Sequence, residues 1–150
     1  QDAIKRHYKF GAPADWHVAH ISEYATMHPW EDFAETFAHY LHITGTLGTA
    51  AATGLQLDAS VVAARDEDVV PLSSYQGESI QRLLSDWAWF SRVFNRVNRS
   101  MGMGDLYPFE LTPRVGVKLA FMHRLISSAA AIRMANASDA DGLVLVSPEG

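Results

Sequence analysis

From Ile80 to Met101 apolar residues recur at steps of three and four: Ile80, Leu83, Leu84, Trp87, Phe90, Phe94, Val97 and Met101. That period puts one dry stripe on an α-helix, whereas a strand would scatter the same residues over both faces. The stretch 112–133 reads the same way. Thr112 suits an N-cap and Pro113 the first turn, where a missing N–H costs nothing. Val115, Leu119, Met122, Leu125/Ile126, Ala129 and Ile132 then mark a buried side.

Two further prolines punctuate the first third of the chain. Pro13 opens a predicted helix through "GAPADWHVAHISEYAT", with Trp16, Ala19/His20 and Glu23/Tyr24 at helical spacing. Pro29 opens the next, which should run to about Thr53-Gly54, with Glu31 and Asp32 complementing the positive end of its dipole. "DAIKRHYKFG" reads as the last turns of a helix. Residues 55–78 form a long connection with room for one short helix or strand, and "MGMGDLYPFEL" is a glycine-broken loop. No internal repeat is visible. The expectation is one all-α domain of four to five helices over residues 1–134, followed by a flexible or short-strand tail at 135–150.

With 150 residues, 48% of them hydrophobic and 19% charged, the chain can build a real core. The net charge is −5 and the twelve Lys and Arg are scattered, which argues against nucleic acid as a partner. There is no cysteine, so any metal must be held by histidines and carboxylates. No leader and no apolar run of bilayer-crossing length stands out, so a soluble, cytoplasmic protein with no membrane partner is expected.

The densest chemistry lies in "MHPWEDFAETFAHYLH", residues 27–42, with three histidines, three acids and four aromatics. At about 100° per residue, Phe33, Phe37, Tyr40, Leu41 and Thr44 fall on one side and Glu31, Glu35 and His42 nearly opposite. The apolar side is expected to pack on the core. The Glu31/Glu35 side is either solvated surface or the wall of a site. His39 and His42 are three residues apart and Glu35 and His39 four, so a self-contained metal site is one reading; His17 and His20 offer the same spacing. No His-Glu-x-x-His pair, phosphate loop, Gly-x-Ser-x-Gly elbow or Ca²⁺ loop is present.

"ISEYATMHPWEDFAETFAHYLHITGTL" and, later, "NRVNRSMGMGDLYPFELTPRVGVKLAFMHRLI" resemble, in order, two segments of a bacterial family of zinc-binding metallopeptidases. With "RHYKFGAPADW" the resemblance covers most of residues 5–126; the 55–78 connection and the chain after about Ser127 do not match. Such proteins are similar to the glutamate zincins of the lethal-factor and Pro-Pro endopeptidase types. Their pattern of a Tyr seven residues before a Glu-x-x-x-Glu/Asp pair is met here by Tyr24, Glu31 and Glu35. The resemblance implies that Glu31 is the third zinc ligand, that Glu35 accepts the N–H of a ligating histidine, and that Tyr24 stabilises an oxyanion. His39 and His42 receive no ligand role from it and stand as an accessory or surface pair.

A His-Glu-x-x-His helix, which should lie before Gln1, would supply the other two ligands to Zn²⁺. The expected function is therefore the C-terminal part of a zinc peptidase acting on a peptide or protein. The segment by itself is expected to be inactive and to hold zinc weakly, and its uncovered face invites a homodimer. The competing reading is a non-catalytic helical scaffold that binds a peptide or a subunit. In the "GDLYPF" loop, Asp105 and Tyr107 are candidate substrate contacts, against the alternative that Tyr107 and Phe109 plug the core.

Overall fold

The computed structural model describes residues 2–60 and 67–141. Four α-helices carry the fold: α1 (Asp2–Phe10), α2 (Pro29–Ala52), α3 (Ile80–Ser100) and α4 (Pro113–Asp141). Single 3₁₀ turns lie at Trp16–Val18 and Tyr24–Thr26. Among the described residues the only β pairing is one antiparallel bridge, Leu57 with Val69, so the domain is all-α as the periodicity implies. That bridge lies inside the 55–78 connection, whose residues 61–66 are outside the described chain.

Local chemistry sets the helix ends. Gly11, with φ of +74°, closes α1 as its N–H donates to the His7 carbonyl at 2.7 Å. His28 is extended and its Nδ1 accepts the Trp30 N–H, so a histidine caps α2 ahead of Pro29. Ser79 caps α3 by accepting the Arg82 N–H, and Thr112 caps α4 by accepting that of Val115. α4 continues to Asp141, past the expected end at residue 134, and residues 142–150 of the expected tail lie outside the described chain.

The helix expected from Pro13 to Thr26 does not form. A helix there would need the carbonyls of Val18 and Ala19 for the N–H groups of residues 22 and 23. The Thr112 hydroxyl takes the first at 3.0 Å and the Lys118 ammonium the second at 2.6 Å. Captured by α4, the segment folds as two tight turns with Ile21 buried between them.

The core lies where α2, α3 and α4 meet: Tyr40, Ile43 and Leu47 from the first, Leu83, Trp87 and Phe90 from the second, Val115, Leu119 and Met122 from the third. Val69 and Tyr75 plug it from the long connection. Buried Asp86 straps that connection to α3, accepting from the Tyr75 hydroxyl and from Arg82 Nε, each at 2.8 Å, while Arg82 also donates to the Val70 carbonyl. By length and composition Pro113–Met134 is apolar enough to cross a bilayer, contrary to the reading that no such run exists. Here its Val115–Leu119–Met122 stripe closes the core and its Lys118 is ion-paired.

The apolar side of α2 also differs from expectation. The buried stripe is Thr36, His39, Tyr40, Ile43, Leu47 and Ala50, while Phe33, Phe37 and Leu41 form an exposed ridge beside it. Only Tyr40 belongs to both sets. Each strip is apolar enough to seem the inner one, and the crossing of α4 over Asp32 and Thr36 decides between them.

Truncating the wholly buried Phe90 to alanine is therefore expected to cost about 3–5 kcal/mol, and truncating the 36% exposed Phe37 only about 1–2 kcal/mol. Urea unfolding of the two variants checks the order; equal costs would put Phe37 in the core.

Candidate functional site

The first turns of α2 carry neighbouring acids with opposite fates. Asp32 turns toward α4 and accepts from Lys118 Nζ through both oxygens, at 2.7 and 2.6 Å. Glu31 and Glu35 are rotated off the buried stripe and half-exposed, under the turn that holds Tyr24. This turn packs on the start of α2 and is stapled to it: the Ser22 hydroxyl donates to Glu35 Oε2 at 2.7 Å and accepts the Ala25 N–H at 3.1 Å.

The structure thus brings Tyr24, Glu31 and Glu35 to one surface. The negative charge of Glu31 is the largest influence on the exposed Tyr24 phenol and raises its pKa above the usual tyrosine value, with smaller contributions in the same direction from Tyr8 and Glu35. A phenol so placed keeps its proton at neutral pH and remains a hydrogen-bond donor.

His39 is not on that surface. It is buried at 5% exposure, its Nδ1 shares a 2.9 Å hydrogen bond with the Tyr107 hydroxyl, and its ring lies 4.4 Å from that of Phe109. His42 is exposed, with its ring 6.0 Å from His39. His17 and His20 sit apart on the captured turns, His17 exposed and His20 half-buried. Among the described residues no group of three or more His, Asp or Glu is close enough to hold a metal ion. Glu31 and Glu35 on this surface are carboxylates, a donor type that zinc accepts.

In the "GDLYPF" loop Tyr107 packs against the core, while Leu106 and Phe109 are exposed. Tyr107 wedges edge-on between Trp87 and His39, and burial pushes its hydroxyl pKa upward. Asn95 clasps its backbone from both sides, donating to the Tyr107 carbonyl and accepting its N–H, each at 2.8 Å. Asp105 is exposed and pairs with Arg99 at 3.1 Å. Ser22 was missed by reading for charged and aromatic groups. Its signal was local: a serine three residues before a turn N–H that it can accept.

Burial lowers the His39 pKa below the ordinary 6.5, more than the charge of Glu35 raises it. The unfolded chain then binds the extra proton first, so stability is full above about pH 6.5 and falls as pH drops through the folded value. Denaturant unfolding at pH 7.5 and 5.0 is expected to show a smaller acid loss in His39→Gln than in the unsubstituted chain. Equal losses would mean that His39 titrates as though solvated.

Residues 1–125 match the family described as "Putative zinc-binding metallo-peptidase". Uncharacterised proteins of Mycobacterium tuberculosis (strain H37Rv) and Mycobacterium bovis are each 43% identical over 128 residues, 85% of this chain. The chain spans 35% of the length of these relatives. No solved structure matches. On a match covering residues 1–125 of 150, the chain belongs to that zinc-binding metallopeptidase family.

Proposed function

We propose that this chain is the part of a zinc-dependent peptidase that supplies one carboxylate ligand and the groups around it, in an active site of the glutamate-zincin type. The observation that carries the reading is the sorting of side chains on α2: Asp32 and His39 turn toward α4 and the core, whereas Glu31 and Glu35 stay half-exposed on the face of Tyr24, Glu35 bonded to Ser22. The bond to Ser22 gives Glu35 a place in the fold, but a second carboxylate one turn away adds like-charge repulsion that costs stability.

When bound, zinc acidifies a water and polarises the carbonyl to be attacked. Glu31 is the side chain of this chain that would ligate it. Glu35, one turn along the helix, would accept the N–H of a histidine that does the same, fixing its ring and tautomer. Tyr24 keeps its proton beside Glu31 and donates it as a hydrogen bond where negative charge develops on the peptide carbonyl oxygen. The two histidines that complete the set belong, in this reading, to the rest of a longer protein. The relatives, of which the chain spans 35%, are long enough to contain it. The substrate is a peptide or protein lying over the Glu31 face.

A second reading, a helical module that binds a peptide or a subunit, draws on a different surface. Phe33, Phe37 and Leu41 on α2 and Val117, Phe121 and Leu125 on α4 are all exposed, an unusual run of apolar side chains for a free surface.

Zinc titration of the full-length protein separates the two. Glu31→Gln is expected to weaken zinc binding by at least about tenfold and to abolish hydrolysis with no change in the unfolding midpoint of the zinc-free protein. Unaltered zinc content and turnover in the variant would remove Glu31 from the site, and a full-length protein that binds no zinc would favour the module.

A further inference from the structure

We infer that Ser22 is a positioning residue that aims Glu35, an assignment that rests on the zinc reading of the Glu31/Glu35 face. The serine hydroxyl has one proton and a definite partner on each side. The Ala25 N–H, 3.1 Å away, can only donate, so it occupies an acceptor position on Ser22 Oγ. The hydroxyl proton goes to Glu35 Oε2 at 2.7 Å, the length of a strong bond to a carboxylate.

Two consequences follow for Glu35. The hydrogen bond fixes the rotation of its carboxylate, which on a free helix surface would sample several rotamers. It also engages Oε2 and, among the described residues, leaves Oε1 without a hydrogen-bond partner, as the oxygen open to an imidazole N–H. Ser22 thereby ties the orientation of Glu35 to the turn that presents Tyr24, because the same oxygen anchors the Ala25 N–H. A serine that only capped the turn would need no carboxylate; water would serve its proton equally well.

The inference separates from a purely structural role in a double-mutant cycle on zinc affinity, measured by titration of the full-length protein. Ser22→Ala is expected to weaken zinc about tenfold, the lower end of the effect of outer partners on metal binding. In a Glu35→Ala background the same change is expected to have no further effect. Ser22→Thr, which keeps the hydroxyl, is expected to retain the affinity.

An equal loss in both backgrounds would make Ser22 a turn residue only and overturn the assignment, as would undiminished affinity in Ser22→Ala. A folded Ser22→Thr protein as weak as the alanine variant would show that the hydroxyl is not the relevant group. If the unsubstituted full-length protein binds no zinc, the zinc reading falls and this inference with it; zinc bound normally but insensitive to Ser22 removes the inference alone.

Discussion

Lys118 is the point on which the arrangement turns. Its ammonium meets both oxygens of Asp32 and the carbonyl of Ala19, so one charge joins the first turn of α2, the middle of α4 and the chain between them. The pair is partly buried, at 29% and 22% side-chain exposure, and charged hydrogen bonds of this kind are worth about 1.5–3 kcal/mol each before desolvation is counted. Its larger effect is geometric. Fixing Asp32 toward α4 fixes the rotation of α2, and that sends Thr36, Tyr40 and Ile43 inward and Glu31 and Glu35 toward the turn that bears Tyr24.

How much of this was readable from residues alone depends on the element. α3 was, because its apolar side chains make a single stripe bounded by Ser79, and Leu83, Trp87 and Phe90 are buried as the spacing implies. The face of α2 was not. It carries two apolar strips, and the one that enters the core includes Thr36 and His39, which hydropathy counts as surface. The segment from Pro13 to Thr26 has local helical spacing, but its carbonyls are claimed by Thr112 and Lys118, about a hundred residues later in the chain. No local rule anticipates a competitor at that separation.

The site divides along the same line. Tyr24, Glu31 and Glu35 were marked by a spacing of seven and four, and their adjacency in space is a property that spacing alone cannot guarantee. His39 and His42 have equally suggestive spacing and are not brought to that face, since His39 spends its Nδ1 on Tyr107 inside the core. Ser22 carries no charge and no aromatic ring, and its part emerges only from the two hydrogen bonds it makes. Family membership names a zinc-binding metallopeptidase family for residues 1–125, while the hydrogen bonds distinguish the side chains tied into the core from those left on the surface.

The most direct test of the account is the coordination sphere of zinc in the full-length protein, by crystallography with anomalous scattering at the zinc edge. The account predicts one Glu31 oxygen at about 2.0–2.2 Å from the metal, with two imidazole nitrogens completing the protein ligands and Glu35 outside them. Zinc bound by other residues, with Glu31 out of reach and still facing water, would contradict it.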